Sequence, residues 1–234
     1  RAAEAAQIDI ASVPPSLLCD PDYRAVAPSV FSMTGLAQPE AVPADDYLRY
    51  CSEMLSAGAD ALYCSASMQT VEYLAREYVP VVGHVGLVPS RATWTGGFRA
   101  VGKTAKSAIA LFRECQAYQD AGAIAVEIEV VPEQVATEIS KRLDILLWSM
   151  GAGAGCDAQY LFAEDILGEN RGHMPRHSKV YRSFAAEYDR LQLERVAAFT
   201  EFSDDVARGA FPGQSHLVQM DPQEHDAFLD GISG

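Results

Sequence analysis

Hydrophobic and polar positions follow two alternating periods along this chain. Short apolar runs at 8–13 (IDIASV), 25–31 (AVAPSVF), 59–64 (ADALYC), 79–82 (VPVV), 123–130 (AIAVEIEV) and 145–150 (ILLWSM) read as strands. Between them lie stretches with apolar residues three and four apart, which read as helices. These are 45–57 (Tyr47, Leu48, Cys51, Met54 and Leu55 on one face), 68–76, 105–121, and a segment opened by Pro132 that runs to Leu143. Gly58 and Gly122 stand where helix ends favour glycine. Strand alternating with helix predicts a parallel sheet with right-handed crossovers. Six strands are counted, where a closed (β/α)8 barrel has eight.

One connection breaks the rhythm. Residues 14–24 would have to join the first two strands without a helix, and a parallel crossover needs a dozen residues or more. Either this crossover is degenerate or residues are missing between about 17 and 24, and the second reading is favoured. The chain opens at Arg1 inside an Ala-rich helical stretch, so residues upstream are expected. From about residue 168 the character changes. A polar, basic stretch leads to a helix over 187–207 bearing Leu191, Val196, Phe199 and Phe202, then to the turn-rich 211–216 and an acidic, mobile end. The expected organisation is one barrel domain over 1–234 with a helical tail from about 168.

Composition narrows the partners. A length of 234 residues suffices for one sizeable core, and no apolar run reaches the ~18 residues of a membrane span. The formal charge is 18 − 32 = −14, which argues against a nucleic-acid footprint. Five cysteines, an odd number with no CxxC pair, read as reduced thiols in a cytoplasmic protein, and no secretory signal is seen.

The chemistry gathers in three places. After the 79–82 strand comes a Gly-rich stretch, Gly83-His84-Val85-Gly86, expected to be a loop that carries His84 at the carboxyl end of the sheet. Glu129 closes the 123–130 strand, with Glu127 two residues earlier on the same face. Glu129 is either an acid/base group or a structural strand-end carboxylate. The Gly151–Gly155 run can turn backbone N–H groups toward a carboxylate, which makes Gly151 and Gly153 candidates for substrate binding. Trp94 and Trp148 read as packing, Cys64 and Cys156 as thiols without a base beside them, and the basic residues between Arg171 and Lys179 as solvated surface or a subunit contact.

Four stretches in order, VPVVGHVGLVPSRATWTGGFRAVGKT, AGAIAVEIEVVPEQVATEIS, MGAGAGCDAQYLFAEDILG and FPGQSH, resemble the ketopantoate hydroxymethyltransferase (3-methyl-2-oxobutanoate hydroxymethyltransferase) family. The resemblance implies a (β/α)8 barrel of the phosphoenolpyruvate mutase/isocitrate lyase superfamily, with a first strand and one crossover helix absent from this chain. It implies a homo-oligomer that transfers a one-carbon unit from 5,10-methylenetetrahydrofolate to a small 2-oxo acid, with Mg²⁺ as Lewis acid. It matches Glu129 to the catalytic acid/base, His84 to the His of a GHxGLxP motif, and Ser16 to a substrate-contacting Ser. Gly96-Gly97 and Gly102-Lys103 match a structural loop. The chain departs from the family at the metal: the ligand positions fall on Pro15, Pro28 and Ser65, and a substrate-binding Lys falls on Tyr63. Proline offers no ligand, so no metal residue is assigned, and Tyr63 and Ser65 stand instead as substrate-binding candidates. Three functions stay open. The favoured one is carbon–carbon bond formation or cleavage on a small carbonyl compound without metal, with Glu129, His84 and Tyr63 handling protons. The others are the family reaction itself, and a non-catalytic barrel that serves binding or assembly.

Overall fold

The computed structural model describes residues 1–35 and 43–233. In chain order the strands are β1 (Ile10–Ser12), β2 (Phe31–Gly35), β3 (Ala61–Tyr63), β4 (Val81–Gly86), β5 (Ala125–Glu129), β6 (Leu146–Met150) and β7 (Ala158–Gln159). The helices are α1 (Ala2–Ala5), α2 (Pro15–Leu18), α3 (Tyr23–Val26), α4 (Ala44–Ser56), α5 (Met68–Arg76), α6 (Ala92–Thr95), α7 (Ala105–Asp120), α8 (Glu133–Ser140), α9 (Ala163–Leu167), α10 (Phe184–Ala207) and α11 (Pro222–Ile232). All seven strands are parallel and hydrogen-bonded in chain order, β1 to β7. This is the order of a (β/α)8 barrel, here partial.

The chain forms two compact units. The first, residues 1–162 with 175–178, holds the whole sheet. Side chains alternate across it with period two. Leu62, Val81, Val85, Val126, Ile128 and Leu147 face the helices and form the larger core with Val71, Leu74, Leu111 and Tyr118. Met33, Ala61, Val82, Ala125 and Trp148 form a smaller cluster on the opposite, inner face. Each fully buried Leu, Ile or Val is worth about 1.5–3 kcal/mol. The crossover helices begin where the local chemistry says they should. Ser67 Oγ accepts the Thr70 N–H at the start of α5, and Thr104 with Ser107 makes a reciprocal cap on α7.

Three expectations need correction. The second strand is not 25–31. Residues 23–26 are helical and β2 begins at Phe31, so Pro28 precedes its strand and lies at the amino end of the sheet. Val26 and Val30 looked like strand residues, but Tyr23 and Val30 pack into the helix-side core, and Arg24 reaches Asp60 at 2.5 Å and the Gly58 carbonyl. With β2 in its proper place the β1–β2 connection is residues 13–30, and two single-turn helices, α2 and α3, make it. Second, β4 runs to Gly86, so His84 is a strand residue and not a loop residue. Third, the sheet has a seventh strand, β7, too short to be visible as a pattern.

The second unit comprises 163–174 and 179–234 and carries α9, α10 and α11. None of the α10 residues is buried. Arg171 pairs with Asp189, and the Tyr188 hydroxyl donates to Glu169, fixing the start of α10 to the preceding turn. The FPGQSH stretch is a built turn: Gly213 N–H donates to His216 Nδ1 at 3.0 Å and Phe211 stacks on His216. The acidic end carries the helix α11, none of whose residues is buried.

Candidate active site

The inner face of β3, β4 and β5 brings four titratable side chains together. In the β4–β5 register His84 lies opposite Glu127, and Gly86 opposite Glu129. Period two then puts His84, Glu127 and Glu129 on one face, two residues or fewer from the carboxyl ends of their strands. His84 Nε2 is 3.0 Å from Glu129 Oε2 and 3.8 Å from Glu127 Oε1. The Tyr63 ring on β3 lies 5.4 Å from the His84 ring, and the Glu127 carboxyl is near enough to act on its hydroxyl. Side-chain exposure is graded: Glu127 2%, His84 6%, Glu129 12%. Glu129 is the carboxylate that a ligand meets first.

Two glycines make this arrangement possible. Gly83 gives up its side-chain space to Tyr118 of α7, whose ring would lie 2.5 Å from a Cβ there, and the Tyr118 hydroxyl donates to the His84 carbonyl. Gly86 has φ +87, and a Cβ would lie 2.3 Å from the Glu129 carbonyl oxygen. Low strand propensity at these glycines hid the end of β4 from the sequence pattern.

Burial pushes the Glu127 carboxyl up from its ordinary range, and the Glu129 charge adds to this; His84 and the Tyr63 hydrogen bond oppose it. Burial, then the charge and hydrogen bond of Glu127, push the Tyr63 hydroxyl up as well. A carboxyl whose pKa is raised in the folded protein is neutral in both states at low pH. As pH climbs past the ordinary 4.5 the unfolded chain ionises first, and stability is lost until the folded group ionises too. Glu127→Gln lacks this loss. Relative to wild type it is expected to gain stability as pH rises above 4.5, by up to about 1.4 kcal/mol per pH unit. Urea unfolding from about pH 4 to pH 8 measures this, and a flat difference would show that Glu127 titrates normally.

The other candidates lie elsewhere. Ser16 is an exposed residue of α2, just beyond β1. Ser65 follows β3 and offers its carbonyl to Arg91 at 2.8 Å. In the Gly-rich loop the Ala152 N–H donates to Ser149 and the Ala154 N–H to Glu133, so the carboxylate these amides meet includes the protein's own. A Cβ on Gly151 would lie 2.7 Å from the His177 ring, and one on Gly153 2.3 Å from the Glu133 side chain. Trp148 packs on the inner face at 3% exposure, whereas Trp94 is 91% exposed. All five cysteines are free, and burial pushes Cys156 up to about 11 and Cys51 and Cys115 up to about 12, which suits inert thiols. Sequence reasoning did not single out Glu127 as more than a neighbour of Glu129. The period-two spacing was the available signal.

The Mg²⁺ that the resemblance implies can be tested against the donors present. Pro15 opens α2 and Ser65 has a hydroxyl only; the carboxyl end of β2 is Gly35 rather than Pro28. None of these described positions supplies a carboxylate. One oxygen or nitrogen from each of His84, Glu127 and Glu129 lies within 4.8 Å of the others. That set is poor for Mg²⁺, which takes oxygen ligands in a near-octahedral shell and keeps several waters. Here one donor is imidazole, one carboxylate is 2% exposed, and Nε2 and Oε2 already hold each other. The described residues do not fit the ion.

Comparison with known proteins agrees with the motifs in the sequence. The family model described as ketopantoate hydroxymethyltransferase matches residues 39–214. The 3-methyl-2-oxobutanoate hydroxymethyltransferase of Halalkalibacterium halodurans is 40% identical over 170 residues, covering 71% of this chain and 58% of the relative. That of Cenarchaeum symbiosum is 33% identical over 184 residues, covering 77% and 68%. The chain thus spans roughly six- to seven-tenths of the length of these two curated relatives. Among solved structures, 2,3-dimethylmalate lyase, a PEP mutase/isocitrate lyase superfamily member, matches at TM-score 0.45 and 14% identity over 100% of this chain and 86% of its own. With the family model spanning most of the chain and the Gly-His strand and strand-end Glu meeting at 3.0 Å, this chain belongs to the ketopantoate hydroxymethyltransferase family.

Proposed function

We propose that the chain catalyses ketopantoate hydroxymethyltransferase-like chemistry, forming or breaking a carbon–carbon bond next to the carbonyl of a small 2-oxo acid through its enolate. The observation that carries this reading is the Glu129–His84 pair at the carboxyl ends of adjacent strands, 3.0 Å apart. Glu129 takes the proton from the carbon beside the carbonyl. With a hydrogen on Nε2, His84 donates to Glu129 Oε2 and fixes the direction in which the other carboxylate oxygen points. The relatives' name supplies the substrate class: 3-methyl-2-oxobutanoate, with a one-carbon unit as the group transferred. The family's folate donor, a homo-oligomeric state and a cytoplasmic setting go with this reading. Since the described residues do not fit Mg²⁺, the proton chemistry is assigned to the side chains alone.

The test is proton exchange. The protein is incubated with 3-methyl-2-oxobutanoate in D₂O, with EDTA and separately with Mg²⁺, and the C3 proton is followed by NMR. Exchange that persists in EDTA is expected. Exchange only with Mg²⁺ would restore the ion, and none in either tube would remove this substrate.

A further inference from the structure

The β4–β5 register makes a square of four positions on the inner face: His84 opposite Glu127 and, two residues on, Gly86 opposite Glu129. Three corners carry side chains of the kinds that bind metals, and the fourth, Gly86, carries no side chain. His84 Nε2 lies 3.0 Å from Glu129 Oε2 and 3.8 Å from Glu127 Oε1, and one donor atom from each of the three lies within 4.8 Å of the others. A tetrahedral zinc ion bound at about 2.0–2.2 Å sets neighbouring donors about 3.3–3.6 Å apart, between the two distances from Nε2. All three side chains are largely buried, Glu129 least, so an ion's way in is past Glu129 at the strand ends. A second observation lies beside the square. Trp148 stands opposite Glu127 in the β5–β6 register and belongs to the inner-face cluster. It is 3% exposed, and its indole Nε1 has no hydrogen-bond partner among the described residues. A buried donor without a partner is rare, and it points to an acceptor brought by a ligand or a water.

We propose that His84, Glu127 and Glu129 form a binding site for a transition-metal dication of the zinc class, and that the ion, once bound, blocks the proton transfer assigned to Glu129. These are not the positions where the resemblance puts the family's ion, which fall on Pro15, Pro28 and Ser65. Two carboxylates around one imidazole are a poor buried set by themselves, because two negative charges meet at most one positive charge; a dication balances both. The imidazole chooses the ion. It suits zinc, iron, copper and nickel, whereas Mg²⁺ takes oxygen ligands and keeps several waters. The residues that do not fit Mg²⁺ therefore fit zinc, with three protein donors and a fourth position for a water or an anion. An oxygen of that kind is the acceptor that Trp148 Nε1 lacks. The ion takes the place of the hydrogen that His84 Nε2 donates to Glu129 Oε2, and that hydrogen moves to Nδ1, so the imidazole stays neutral. Glu129 then gives its lone pair to the metal and takes no proton from carbon. The binding stands on the donor geometry alone; the block rests on the base role proposed for Glu129 above.

The probe is Zn²⁺ itself. The protein is stripped with EDTA, dialysed, and titrated with Zn²⁺ by calorimetry near pH 7 with Mg²⁺ in excess, for wild type, His84→Gln, Glu127→Gln and Glu129→Gln. Wild type is expected to bind one ion at the site. Each variant is expected to bind it at least about 100-fold more weakly, since even a change outside the ligand shell costs about 10- to 100-fold. His225→Gln, in the exposed α11, is expected to bind as wild type does. Co²⁺ in place of Zn²⁺ is expected to give a visible absorption band that the three site variants lack. The urea midpoint of wild type is expected to rise with Zn²⁺ while those of the site variants stay still, and the same curves show that each variant folds. No binding by wild type, binding that the three variants retain, or loss of binding to the Mg²⁺ excess would overturn the site. The second of these would place the ion on exposed histidines or on the exposed thiol of Cys19. Exchange of 3-methyl-2-oxobutanoate is then followed with the site filled. It is expected to fall by about 10²-fold or more, and to recover when EDTA is added. Full exchange with Zn²⁺ bound would overturn the block. No exchange in EDTA either, with zinc binding that depends on the three residues, keeps the site and removes the substrate reading.

Discussion

Glu129→Gln is expected to slow C3 proton exchange of 3-methyl-2-oxobutanoate by about 10²- to 10⁴-fold, the usual worth of a positioned general base. The substitution is nearly isosteric. The amide oxygen can accept from His84 Nε2 as the carboxylate does, so no buried donor is orphaned and the fold should hold. What is lost is the capacity to take a proton. Exchange is measured by NMR and folding by the urea midpoint, which is expected to shift little. Loss of exchange with an unchanged midpoint assigns the base. Exchange within threefold of wild type would mean that another group removes the proton, with Glu129 only a strand-end carboxylate.

Gly86→Ala is expected to cost about 2–4 kcal/mol of stability, combining a left-handed backbone with an overpacked contact. Gly86 has φ +87, and the added methyl would lie 2.3 Å from the Glu129 carbonyl oxygen. That oxygen accepts the Leu87 N–H at 2.9 Å, so it cannot retreat without breaking a hydrogen bond at the end of the sheet. The neighbour that must move is the backbone of the base itself, so exchange should fall together with stability. Equilibrium unfolding of wild type and Gly86→Ala measures the first and NMR the second. A loss under 0.5 kcal/mol would show that the turn after β4 relaxes freely.

Much of the fold was legible in the pattern. The helices α4, α5 and α7 fall within about two residues of their sequence-read ends, because spacing, caps and terminal glycines agree there. The strands β3, β5 and β6 were equally plain. β2 was misplaced because FSMTG, with a Ser, a Thr and a Gly, looks less like a strand than AVAPSVF does. Its Ser32 and Thr34 are buried, Ser32 on the Tyr23 hydroxyl, a contact that no local pattern encodes. That error moved a family ligand position onto Pro28, although the structure puts the strand end at Gly35.

The sequence by itself determined a parallel α/β chain of this family and a strand-end Glu129, with Pro15 and Ser65 at two positions where the resemblance implies carboxylates. These are properties of residue type and of periods two and 3.6, both local. Only the tertiary structure decided that His84 is a strand residue 3.0 Å from Glu129, that Glu127 is the more buried carboxyl, and that the Trp148 N–H has no partner among the described residues. Register between strands is set by packing across the sheet, and burial by what covers each side chain. Whether a carboxyl keeps its proton follows from that burial and from its neighbours rather than from its place in the chain.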